Sequence, residues 1–157
     1  MNAHLSKDIL AFGICAAILI GSTALAAPPS SGPCSLLTSA QIGSALGVTV
    51  GDAMPIATTG CSWVAPNYIV SVSLWDAGKW ERMKAPLPGA TRTPVAALGD
   101  DAFYSVLESN PGAGFATLTV KKGNTAYVFK VYSKLRSVPE QMTIEKTLAT
   151  NALRNIP

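Results

Sequence analysis

The sequence predicts an α+β domain, with one antiparallel sheet of about five strands packed with an N-terminal helix, a short middle helix and a C-terminal helix. Three observations carry that prediction. Phe115 to Ser133, "FATLTVKKGNTAYVFKVYS", has the form of a hairpin around a Gly123-Asn124 turn. In "YIVSVSLW", Tyr68, Val70, Val72 and Leu74 alternate with Ile69, Ser71, Ser73 and Trp75, the period of a half-buried strand. Two flanking segments, near Thr38 and Ser137, combine capping-box spacing with apolar residues three and four apart. Hairpin-linked strands with helices grouped around them belong to the α+β class.

At the N-terminus, Lys7 precedes an almost wholly apolar run from Ile9 to Ile20, and Ala24-Leu25-Ala26 offers small residues where a signal peptidase reads them. Residues 1–26 are therefore read as a signal peptide. The run is too short for the roughly 20 residues that span a bilayer, and no second run follows, so no transmembrane segment is expected after cleavage. "APPSSGP", residues 27–33, reads as a flexible leader, and residues 34–157 as a single domain.

In "LLTSAQIGSALGV", Thr38 is placed to cap a helix over about 38–46, Gln41 to close the capping box, and Gly47 to stop it. The strand from Tyr68 follows a turn at Pro66-Asn67. An even-length loop there sets Trp63 opposite Val70 and Cys61 opposite Val72, both pointing inward; an odd loop would turn them to solvent, against the hydrophobic pattern. "DAGKWERMK" begins with a capping Asp76 and spaces Trp80 and Met83 three apart, which predicts the short middle helix. "APLPGATRTP" reads as a long surface connection, "AFYSVL" (Ala102 to Leu107) as a strand, and "SNPGAG" as a turn-rich loop.

Counting outward from Gly123-Asn124 pairs Lys122 with Thr125, Val120 with Tyr127, Leu118 with Phe129 and Ala116 with Val131. The opposite face then carries Thr117, Thr119, Lys121, Lys130, Tyr132 and Lys134 and is expected to be wet. In the last segment Ser137 and Glu140 bracket Pro139, and Ile144, Leu148 and Ala152 recur every fourth residue, so about four turns of amphipathic helix close the chain.

Composition removes several function classes. Charge is sparse and slightly basic, at +3, and its lysines and arginines are scattered, unlike the concentrated stripe of a nucleic-acid binder. His4, the single histidine, leaves with the signal peptide, and so does Cys15. A chain without histidine has no Ser-His-Asp or Cys-His nucleophile system and no imidazole metal site. No Walker loop, dinucleotide glycine pattern, metalloprotease motif or Gly-x-Ser-x-Gly elbow is present, and neither metal nor cofactor is expected.

The two remaining cysteines, Cys34 and Cys61, are even in number, far from Cys-x-x-Cys spacing, and placed by export in an oxidising compartment. A structural disulfide is expected in preference to a redox pair or free thiols. Asp100 and Asp101 precede a strand, and the reading preferred to acid-base work is a turn in which one of them caps backbone N–H groups. Trp63 falls with the core. Trp75 and Trp80 are the aromatic candidates for a binding groove, with ordinary packing as the plainer alternative. Lys130 and Tyr132, with Lys121 and Lys134, offer a face to an anionic envelope polymer, or simply to solvent.

"PCSLLT" at 33–38, "GCSW" at 60–63 and "ALGDDAFY" at 97–104, followed by a glycine-turn hairpin and a Leu/Ala-rich final helix, resemble a group of small exported bacterial domains of unknown function, best represented among actinobacterial secreted proteins and lipoproteins. The resemblance covers nearly all of the chain after the signal peptide. It implies a Cys34–Cys61 disulfide and an α+β sandwich of the PsbP-like kind, and it lends no catalytic residue. Two departures are visible: the lipid-modified cysteine of the lipoproteins is missing, and Asp101 adds an acid to the Gly-Asp pair.

No motif in the sequence specifies a biochemical activity. The expectation is an exported protein of the periplasm or cell exterior, most simply a non-catalytic binding or interaction domain whose partner is an envelope protein or a small ligand. The alternative is a hydrolase working through carboxylates alone, among Asp76, Asp100, Asp101 and Glu108, as glycosidases do.

Overall fold

Thr38 begins the first helix as expected, because its hydroxyl accepts the Gln41 N–H while the Gln41 side chain accepts the Thr38 N–H at 2.8 Å. Gly47 ends it in a left-handed conformation, φ 73°, that a side chain would disfavour. The computed structural model describes residues 32–110 and 113–156, with the backbone alone at 108–110 and 113. The expected signal peptide, residues 27–31 of the expected leader, and Pro111-Gly112 of the turn-rich loop lie outside the described residues. The described chain starts with a 3-10 turn, Gly32–Ser35, that buries Pro33 and Cys34.

Three α-helices follow in chain order: α1 (Ser39–Leu46), α2 (Trp80–Lys84) and α3 (Val138–Arg154). A second 3-10 turn, Ala77–Lys79, leads into α2, with Asp76 accepting the Gly78 N–H at 2.8 Å. The strands are β1 (Met54–Ile56), β2 (Gly60–Ala65), β3 (Tyr68–Asp76), β4 (Ala90–Pro94), β5 (Asp101–Asn110), β6 (Ala113–Lys122) and β7 (Thr125–Ser133). All pairings are antiparallel, in the order β1-β2-β3-β7-β6-β5-β4.

The sheet thus has seven strands where the sequence predicts about five. The two additions are its edges. β1 is three residues long and contains Pro55; β4 lies within the segment read as a surface connection and ends at Pro94. A proline is tolerated at an edge, where one side of the backbone needs no partner, and it hides the strand pattern from the sequence.

Cys61 pairs with Val72 and Trp63 with Val70, the register an even-length loop requires. The Gly123-Asn124 hairpin pairs as counted from Lys122/Thr125 to Leu118/Phe129, where the ladder ends. The expected fourth pair, Ala116 with Val131, is absent from it. The Val131 N–H instead donates to Glu145 Oε1 of α3 at 2.9 Å, so a side chain from the helix takes the place of the neighbouring strand.

One sheet face carries the main core. Trp63, Val70, Val72, Leu118, Phe129 and Val131 pack with Leu37, Ile42 and Leu148, all at most 2% exposed. Burying each large side chain contributes about 1.5–3 kcal/mol. α3 lies over β6 and β7, and α1 packs against α3. The Cys34–Cys61 disulfide, with Cα atoms 5.1 Å apart, ties the first 3-10 turn to β2. No described helix is long and apolar enough to cross a membrane.

The second face is covered at one end. Trp80 of α2, 4% exposed, packs with Phe103 and Ala126, its ring 5.4 Å from that of Phe103. Thr119, expected on a wet face, is therefore buried there. No described helix lies over the remainder of that face.

Candidate functional site

The strand period of two and the register fix which residues meet on the open face. Met54, Ile56, Val64, Ile69, Trp75 and Tyr132 all project from it, between 41% and 55% exposed. Val64, Ile69 and Tyr132 form one row across β2, β3 and β7.

Toward the α2 end the face hollows into a groove of about 290 Å³, lined by Trp75, Met83, Arg92, Phe103, Ser105, Thr117, Thr119 and Val128. Two kinds of cross-strand row build it. Arg92 pairs with Ser105, and Ser105 with Thr117, a polar row across β4, β5 and β6. Phe103 pairs with Thr119, and Thr119 with Val128, in the next row, whose ends are apolar. The Arg92 guanidinium stands over the Phe103 ring at 4.7 Å from its centroid. Its Nε is buried and has no hydrogen-bond acceptor among the described residues. Burial holds the Arg92 pKa below its ordinary value.

Trp75 lines this groove and Trp80 does not. Trp80 lies in the apolar cluster beside it, and its indole N–H donates to Asp101 Oδ2 at 2.9 Å. Lys84 Nζ reaches the same oxygen at 2.8 Å. Hydrogen bonds from Lys84, then from Trp80, hold the Asp101 carboxyl below the usual carboxylate range. Tyr132 and Lys130 share the open face without lining the groove, and Lys130 Nζ sits 4.1 Å from the Phe115 ring centroid. Nothing local in the sequence marks Arg92, because its segment carries no alternating apolar pattern; only its pairing with Ser105 brings it onto the face.

Of the four acids considered for hydrolysis, three have local partners. Asp76 caps the second 3-10 turn. Asp100 accepts the Gly123 N–H at 2.7 Å, as the turn reading expects. Asp101 is engaged by Lys84 and Trp80. The side chain of Glu108 lies outside the described residues. Among the described residues no three His, Cys, Asp or Glu side chains group to hold a metal.

A second polar cluster lies inside the core, on the buried face of α3. Gln141 and Glu145 of α3 are 2% and 0% exposed, and among the described residues Gln141 Oε1 and Glu145 Oε2 have no hydrogen-bond partner. Desolvation pushes the Glu145 carboxyl up to about 8, against opposing hydrogen bonds from the Val131 and Leu118 backbone and the charge of Lys130. The Tyr104 hydroxyl donates to the Met142 carbonyl, and its pKa is raised by burial and by the nearby Glu145. The spacing of Gln141, Glu145, Leu148 and Ala152 is that of one helix face, a signal present in the sequence but obscured by the residue types. The chain matches no protein-family model, and no curated protein is significantly similar to it.

Proposed function

We propose that this protein is an exported domain of the bacterial envelope that works by binding rather than by catalysis, and that the open sheet face is its binding surface. The observation that carries the reading is the gathering of six large apolar side chains, each at least 41% exposed, on one face of one sheet. Exposed apolar residues scattered singly are ordinary; gathered on one face they mark an interaction surface. The secretion signal in the sequence and the Cys34–Cys61 disulfide support export, since such crosslinks persist in oxidising compartments. The motif resemblance to small exported bacterial domains points the same way.

The test is site-specific photocrosslinking in intact cells of the native host. A benzoylphenylalanine at Ile69 or Trp75 is expected to give discrete adducts, and the same probe at Thr147, on the outer surface of α3, none. Equal labelling from all three positions, or no adduct from the sheet face, rejects the reading.

A further inference from the structure

The groove at the end of the open face is divided chemically along its strands. Arg92, Ser105 and Thr117 are consecutive cross-strand neighbours. Beside this polar row stand Phe103 and Val128, with Trp75 and Met83 completing an apolar wall. The two rows lie two residues apart along β5 and β6, about 6.5–7 Å, so one small molecule touches both at once.

The charge in the groove lacks a counterpart. Among the described residues Arg92 forms no ion pair with a carboxylate, and its buried Nε–H has no acceptor. Of the described side chains on this face, Arg92, Lys121 and Lys130 are cationic. The acid among them, Asp101, is already bound by Lys84. A guanidinium over an aromatic ring still presents N–H groups at its edge, the arrangement that recognises a carboxylate or phosphate oxygen. The groove, at about 290 Å³, stands at the lower end of small-ligand sites.

From this juxtaposition we infer that the groove binds a small amphiphilic anion, its anionic head on Arg92, Ser105 and Thr117 and its apolar body along Phe103, Val128, Trp75 and Met83. The assignment rests on the reading of the open face as a binding surface and names the chemical class it takes. A head group from a lipid and a free organic acid present the same chemistry here.

The experiment is a titration of ¹⁵N-labelled protein with decanoate and, separately, with decanol, both below the concentrations at which they aggregate, followed by amide and indole chemical shifts. Decanoate is expected to shift Phe103, Ser105, Thr117 and the Trp75 indole saturably and to bind roughly tenfold more tightly than decanol. Arg92→Gln is expected to remove that preference, leaving decanoate no tighter than decanol. Should Arg92→Gln fail to give a folded spectrum, the paired change Ser105→Val and Thr117→Val serves instead and is expected to weaken decanoate several-fold without weakening decanol.

Equal affinity for decanoate and decanol at the groove overturns the anion assignment while leaving a binding face in place. Saturable decanoate binding undiminished in Arg92→Gln also overturns it. Saturable binding of neither probe overturns it too, and the crosslinking experiment then decides the broader reading by itself. Lysophosphatidic acid as a third probe separates the sources: tighter binding than decanoate indicates a lipid head group, and weaker binding a free acid.

Discussion

Glu145 shows how one side chain couples ionisation to the fold. Its carboxyl is buried and stays protonated in the folded protein up to about pH 8, whereas the unfolded chain releases that proton near the ordinary value of 4.5. Between those two pH values the folded state binds more protons, so stability falls as pH rises from about 4.5 to about 8, then levels off. Desolvation sets an upper bound of about 5 kcal/mol on that loss. Glu145→Gln keeps the shape and an acceptor for the Val131 N–H without the charge. Urea unfolding at pH 5, 6.5 and 8 is expected to show a falling midpoint in the native protein and a flatter one in the variant. Gly99 is a second single-residue constraint, and it explains part of the "LGDD" motif. Its φ is +64°, and a Cβ there would lie 2.4 Å from the Lys121 carbonyl oxygen, backbone that cannot swing aside. This close approach lets Asp100 donate its N–H to that same oxygen at 2.8 Å while its carboxylate takes the Gly123 N–H, so the motif clamps the loop before β5 onto the β6–β7 turn. Gly99→Ala is expected to cost about 2–4 kcal/mol, read as a lowered urea midpoint. The sequence shows the glycine; the carbonyl it must approach is folded in from more than twenty residues away, which no local pattern can show.

Elements were legible where their own residues decide them. The caps of α1 and α3 are reciprocal side-chain and backbone hydrogen bonds three residues apart, so Thr38 with Gln41 and Ser137 with Glu140 can be read directly. The β6–β7 hairpin was legible for the same reason, from its turn and its alternation. β1 and β4 were not, because "MPI" and "ATRTP" are extended only through their pairing with β2 and β5. The groove was half legible: alternation turns Trp75 outward, but its Arg92 wall comes from a strand that only tertiary pairing creates. The disulfide is an element-scale restraint, joining the first 3-10 turn to β2 across 27 residues. Replacing Cys34 and Cys61 together by Ser is expected to lower stability by about 3–4 kcal/mol through greater freedom of the unfolded chain. The check is chemical unfolding, in which the native protein treated with reductant should move toward the variant.

The whole molecule is a sheet with unequal sides: helices and the N-terminal turn seal one, while α2 covers only an end of the other. Residues on the bare part are free to change without disturbing the core. Val64→Thr with Ile69→Glu is therefore expected to leave the unfolding free energy from urea titration within about 0.5 kcal/mol of the native protein's, yet to abolish the crosslinks made from Trp75. Strand order has a further consequence. Every pairing but one joins strands consecutive in the chain; the exception is β3 with β7, which brings Tyr68 to Ser133 and Asp76 to Thr125. Two meanders, one from β1 to β3 and one from β4 to β7, can each zip up through near neighbours, but neither completes the core alone. The entropic toll of closing a long loop is thus concentrated at a single seam in mid-sheet. Until it closes, β3 and β7 each present an unpaired edge, so the interval before the meanders dock is when a newly made chain is most open to strand exchange with another copy.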